Sequence, residues 1–235
     1  MQRKLLDLVR RAKYAAKILR MPGQRRHVFR WWRSTENGYL LDAPSPWLTF
    51  DAIDALDAYL RPGMTVFEYG SGGSTLYWAK KGATVVSVEH DPLWFGVLQG
   101  RLASVRGVDY RLVEPEPGKL GDDPGDPGAY TSDDDRYRES NFRRYVMQID
   151  QFPENTFDLV SIDGRARPSC IVHAAPKVKP GGLLVLDNAE RTYYLERARS
   201  ALVGFEEQIC PGCIPATGHL SQTNIYRRLL QAQDR

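Results

Sequence analysis

Three oxygen-bearing side chains stand at the ends of two apolar runs. Asp163 closes "LVSIDG", and Asp187 with Asn188 closes "LLVLDN". Brought to one edge, two carboxylates and an amide oxygen make a hard donor set suited to Mg²⁺. A second pair of acids brackets the glycine-rich stretch "EYGSGGST": Glu68 precedes Gly70, and Glu89 follows at the end of the next apolar run. Three ligands compete for such a turn. A triphosphate loop needs Lys followed by Ser or Thr after its glycines, whereas Gly73 is followed by Ser74 and Thr75. A dinucleotide suits Gly70, Gly72 and a later acid that accepts bonds from a ribose diol. Glu68, however, is poor company for a pyrophosphate. Its charge favours a ligand with an ammonium or sulfonium group, such as an amino-acid-bearing adenosine.

These residues need a scaffold that gathers strand ends. The spacing predicts strands over "MTVFEY", "TVVSVEHD", "VDYRLVE", "FDLVSIDG" and "GGLLVLDNAE", with helical segments between them. Alternation of strand and helix implies parallel strands joined by right-handed crossovers. "FEEQIC" and "TNIYRRLL" read as a closing antiparallel pair, with Cys210-Pro-Gly-Cys213 as the turn between them. Phe142, Tyr145, Val146 and Ile149 share one helical face. Residues 115–140, rich in Pro, Gly and Asp, lack periodicity and read as a long insertion, either a lid or a surface loop.

Glu68-Tyr69-Gly70-Ser71-Gly72-Gly73-Ser74, with Glu89, His90 and Asp91 after the second strand, resembles class I S-adenosylmethionine-dependent methyltransferases. The resemblance covers roughly residues 45–230. It implies an α/β, Rossmann-like, doubly wound and mostly parallel seven-stranded sheet with a C-terminal antiparallel pair, preceded here by N-terminal helices. It also implies an enzyme of that class, acting on a small-molecule acceptor. Carried over by position, Glu68, Tyr69, Gly70, Ser71, Gly72, Ser74, Thr75, Glu89, His90 and Asp163 are the cofactor residues. The Asp163, Asp187 and Asn188 set is similar to that of the catechol- and macrolide-sugar O-methyltransferase groups. That likeness brings in Mg²⁺ as a second, optional cofactor and a sugar or polyhydroxyl as acceptor. Asp163, Arg165 and Asp187 become the catalytic candidates. Where the catechol type carries a lysine, this chain has Ala166 between Arg165 and Arg167, and arginine stays protonated. A metal-independent N- or carboxyl-methyltransferase and a cofactor-binding protein without turnover are the alternatives.

The 235 residues, 42% of them hydrophobic, suffice for one core without disulfides; the three cysteines fit no framework. With no signal peptide or long apolar span, a cytoplasmic protein is expected. Residues 1–33 hold eleven Lys/Arg against Asp7 alone, although the whole chain is only +3. We delimit a basic amphipathic extension, 1–44, and a methyltransferase domain, 45–235. Leu5, Val9, Ala12, Ala16 and Leu19 form the expected apolar stripe of the first helix. That stripe packs on the body, pairs two subunits, or touches an anionic membrane peripherally. No nucleic-acid module accompanies the charge.

Overall fold

A computed structural model describes residues 2–36 and 39–230, with side chains from residue 6 onward. Arg3, Lys4 and Leu5 of the basic extension therefore lie outside the described side chains, and residues 231–235 lie outside the described chain.

The extension forms α1 (Gln2–Leu19), α2 (Val28–Ser34) and α3 (Tyr39–Asp42), and α4 (Phe50–Tyr59) leads into the sheet. The first strands and helices alternate as β1 (Thr65–Tyr69), α5 (Gly73–Lys80), β2 (Thr84–Glu89), α6 (Pro92–Leu102) and β3 (Val108–Leu112). A short ribbon of β4 (Glu116–Pro117) and β5 (Ser140–Asn141) closes the base of the insertion. Then come α7 (Arg143–Val146), β6 (Phe157–Ile162), α8 (Arg167–Ala174), β7 (Val178–Leu186) and α9 (Tyr193–Glu196). The chain ends in β8 (Phe205–Cys213) and β9 (Leu220–Arg228).

The main sheet runs β3-β2-β1-β6-β7-β9-β8. Strands up to β7 are parallel, and β9 is antiparallel to both its neighbours. This is the expected doubly wound, seven-stranded architecture. The chain builds outward from β1 to β3 and then returns to β6, so the order reverses between β1 and β6. In open α/β sheets that reversal opens a crevice at the carboxyl ends of the strands.

Period-two alternation splits the core into two layers. Phe67, Tyr69, Val86, Val88, Val160, Ile162, Leu184 and Leu186 face a layer shared with Phe142, Tyr145, Val146 and Ile149. Val66, Val85, Leu159, Leu183 and Val185 face the other, shared with Tyr14, Ile18, Trp31, Phe50 and Trp78. The N-terminal helices thus contribute fully buried side chains, Ile18 among them, to the core of the body.

Two details differ from the sequence reading. Cys210-Pro-Gly-Cys213 lies within β8, not in a turn, and the connection is Ile214–His219. Pro211 is tolerated because β8 is an edge strand. Both cysteines are buried free thiols. On α1, Tyr14 and Ile18 are buried, whereas Val9, Ala12, Ala16 and Leu19 of the expected stripe are exposed. The helix carries two apolar arcs, and it packs with the narrower, which is anchored by aromatic contact of Tyr14 with Trp31 at 4.8 Å.

Candidate active site

The glycine turn leaves β1 at Gly70, whose φ of +87° favours glycine. A Cβ there would lie 2.9 Å from the Asp163 backbone, so the turn presses directly on the end of β6. Gly73 begins α5 against the carbonyls of Leu40 and Ser45, which leave no room for a side chain. The two acids flanking this turn have opposite fates.

Glu68 points into the sheet, not outward. Its register partners are Ser87 and Ser161, which are small and polar. Its Oε2 accepts from Thr75 Oγ1 at 2.5 Å and Ser87 Oγ at 2.8 Å, and its Oε1 from Trp78 Nε1 at 2.9 Å. It is wholly buried, and burial pushes its carboxyl above the ordinary glutamate range despite these bonds. Glu68 therefore pins β1 to the first turns of α5. Thr75 extends the link by accepting from the Gly72 N–H at 3.1 Å.

Glu89 ends β2 at the cavity wall. Burial acts to raise its pKa, but bonds from His90, the Asp91 N–H and Ser71 outweigh it and hold the group below the ordinary value. Its Oε2 accepts from Ser71 N at 3.1 Å and Ser71 Oγ at 2.7 Å. Its Oε1 accepts from the N–H groups of His90 at 2.7 Å and Asp91 at 2.9 Å. Asp91 caps α6 through Leu93 N and Trp94 N, with Pro92 at the first helical position. That cap brings Trp94 back over the turn, where its Nε1 donates to the Ser71 carbonyl at 2.9 Å.

A cavity of about 580 Å³ opens here, within the ~300–1,000 Å³ usual for small-molecule pockets. Of the residues assigned from the sequence, Gly70, Ser71, Glu89, His90, Asp163, Arg165, Asp187 and Asn188 line it. Glu68, Tyr69, Gly72, Ser74 and Thr75 are not among its lining residues. Tyr69 belongs to the opposite layer, where its hydroxyl donates to the Val146 carbonyl at 2.6 Å. Trp94, Arg136, Arg191 and Ile214 also line the cavity, and no sequence pattern pointed to the last three.

At the β6 and β7 ends a guanidinium lies against the two aspartates. Arg167 is buried at 8% exposure; its Nη2 donates to Asp163 Oδ1 at 3.0 Å, and its Nη1 donates to the Asp187 carbonyl. Thr223 donates to Asp187 Oδ1 at 2.7 Å, and the Asn188 amide donates to Ser221 at 3.0 Å. Burial, reinforced by the negative charge of Asp163, raises the Asp187 carboxyl above the aspartate range; burial raises Asp163 as well, against the pull of Arg167. This arrangement does not fit the expected Mg²⁺. Asp163 and Asp187 each give one carboxylate oxygen to a protein donor, and a dication there would meet the fixed positive charge of Arg167, which arginine cannot shed. Asn188 itself and Ala166, three residues after Asp163, are both non-glycine residues in the left-handed region.

The 115–140 insertion supplies the remaining wall, and ion pairs account for its acidity. Asp134 pairs with Arg165 at 3.0 Å, Asp133 with Arg191 at 2.9 Å, and Asp123 with Arg197 at 2.9 Å. Beside the main cavity, a recess of about 140 Å³ is lined by Thr131, Ser132, Asp133 and Tyr193. It shares Arg165, Arg167, Asn188 and Arg191 with the larger space. His219 reaches the cavity, whereas His173 pairs with Asp150 on the surface of α8.

No family model matches the chain, and no curated protein matches it. Its fold, however, is shared with many solved structures. A Klebsiella pneumoniae protein assigned to the O-methyltransferases aligns at TM-score 0.54 and 15% identity, over 84% of this chain and 88% of its own. The O-methyltransferase from Bacillus cereus, solved in complex with SAH, aligns at TM-score 0.52 and 14% identity, over 74% and 77% respectively. The chain has the fold of the class I S-adenosylmethionine-dependent methyltransferases.

Proposed function

We propose that the protein is an S-adenosylmethionine-dependent methyltransferase that acts on a hydroxyl of a small polyhydroxyl acceptor without a metal. The observation that carries this reading is the single cavity at the strand-order reversal. It joins an ionised Glu89 and a glycine turn to two aspartates of raised pKa. Glu89 would accept the ribose hydroxyls, taking them in place of the Ser71 hydroxyl that now occupies Oε2. Gly70 and Ser71 bring the backbone close to the amino-acid end, and Trp94 offers a planar wall. When bound, S-adenosylmethionine supplies a methyl group on a sulfonium, open to in-line displacement.

The chain's own residues then handle the acceptor. Asp187 takes the hydroxyl proton, since a carboxyl raised toward neutrality is a better base than an ordinary aspartate. Arg167 holds Asp163 and the Asp187 backbone in place and balances the charge that proton transfer leaves. Arg165, Arg167 and Arg191 are each already paired with an aspartate. The cavity thus offers paired donors and acceptors to hydroxyls, which favours a sugar-like acceptor.

Titration calorimetry with S-adenosylhomocysteine tests the cofactor; absence of micromolar binding would remove the proposal. Methyl transfer to a panel of sugars and amines, with Mg²⁺ or with chelator, tests the rest. Turnover on hydroxyls that is indifferent to chelator is expected. Strict Mg²⁺ dependence, or transfer to amines alone, would overturn those parts.

A further inference from the structure

We infer that α1 is a membrane-docking element that lays its outer face on an anionic bilayer and holds the rim of the cavity next to it. Successive residues of a helix advance by roughly 100°. On that wheel Leu8, Leu19, Ala12, Ala16 and Val9 follow one another around one arc, and all five are exposed. Arg20, Lys13, Lys17 and Arg10 fill the adjoining arc, also exposed. Among the described residues none of these four cations is in an ion pair, whereas Arg26 and Arg30 of the same segment pair with Asp51 and Asp54. An apolar arc beside a row of unpaired cations is the pattern of a helix lying in the plane of an interface, with its cations on anionic headgroups. No helix among the described residues is long and apolar enough to cross a membrane.

The opposite arc fixes the helix to the body. Tyr14 and Ile18 are buried, Arg11 stacks on Trp32 at 4.5 Å, and Tyr14 Oη donates to the His219 carbonyl at 2.7 Å. Trp31 Nε1 donates to the Thr217 carbonyl at 2.6 Å, and the Ala216 N–H donates to Ser34 Oγ at 2.9 Å. The loop so gripped carries Ile214 and His219, which line the cavity. Docking through the outer arc would therefore hold this part of the cavity rim, through α1, next to the lipid surface. A second copy is a weaker occupant, because it would bring a like row of cations to the same seam.

The test is co-sedimentation of the full chain with vesicles of phosphatidylcholine alone and with about a third phosphatidylglycerol. Binding to the anionic vesicles only, weakened by salt, is expected. Val9→Glu with Leu19→Glu, and separately Lys13→Glu with Lys17→Glu, should each weaken it by about tenfold or more. All four side chains are exposed, so unchanged circular dichroism and melting are expected. No pelleting, equal pelleting on neutral vesicles, or retention by both variants would overturn the inference. So would sedimentation equilibrium showing a dimer that the same variants dissociate. None of these readouts depends on methyl transfer.

Discussion

The two edges of the cavity treat their acids in opposite ways. At the β1 and β2 ends, Glu68 and Glu89 are kept apart: one lies inside the sheet and the other at the wall. Glu68 is held by neutral donors, and Glu89 by Ser71, two backbone N–H groups and the His90 ring. At the β6 and β7 ends, Asp163 and Asp187 share one cavity and one guanidinium. The first edge is organised for binding, because preformed donors fix each acid there without a guanidinium set against it. The second stores an electrostatic conflict, and perturbed acids in a cleft are the raw material of proton transfer.

The comparison breaks most visibly at Arg167. If it neutralises the second edge, Arg167→Met should leave the buried Asp187 and the partly buried Asp163 without a counter-ion and cost about 3–5 kcal/mol in urea denaturation. A loss below about 1 kcal/mol would mean that the guanidinium is solvent-balanced. Next in size is Glu89→Gln at the first edge. It should weaken S-adenosylhomocysteine binding by about 1.5–3 kcal/mol by calorimetry, since it removes charge-assisted acceptance. Unchanged affinity would detach Glu89 from the ligand.

Asp187 gives an effect whose sign is fixed by linkage. Its folded pKa is raised, so the stability it contributes is complete below the ordinary aspartate pKa of about 3.9. That stability is lost as pH rises through the folded value. Asp187→Asn keeps an oxygen for Thr223 and removes the loss. The variant should match the wild type at acid pH and gain on it upward, by about 1.4 kcal/mol for each tenfold rise in proton affinity that folding gives the carboxyl. Denaturation midpoints across pH 4–9 report it, and parallel curves would refute a raised Asp187.

Local signals carried much of this in the sequence. The apolar runs in "TVFEY" and "DLVSI" are physical, because each strand buries both faces, and Asp163, Asp187 and Glu89 fall at strand ends where the apolar runs stop. Parity also held the clue to Glu68: it shares a face with Val66, two residues before the turn, and so points into a layer and away from the crevice. Contacts between distant segments left no such trace. Arg165 with Asp134 and Arg191 with Asp133 join the insertion to the strand ends without periodicity. The same holds for α1, where two apolar arcs compete and only tertiary packing selects Tyr14 and Ile18.

Glu68 itself supplies the smallest expected effect and the sharpest contrast with Glu89. Glu68→Gln can keep its oxygen on Trp78 Nε1 and turn its amide toward Thr75 and Ser87, whose hydroxyls rotate to accept. It is the near-isostere of a protonated Glu68, the form that burial favours. Below the ordinary glutamate pKa of about 4.3 the two proteins should therefore be equally stable. As pH rises from there through the folded value the wild type alone should lose stability, because its carboxyl ionises more readily unfolded than buried. S-adenosylhomocysteine affinity should stay within about twofold, since Glu68 shares no wall with the ligand and independent sites couple weakly. If calorimetry instead shows a loss as large as that of Glu89→Gln, the Glu68 charge reaches through the turn to the cofactor. The division of the first edge into a structural acid and a binding acid would then fail.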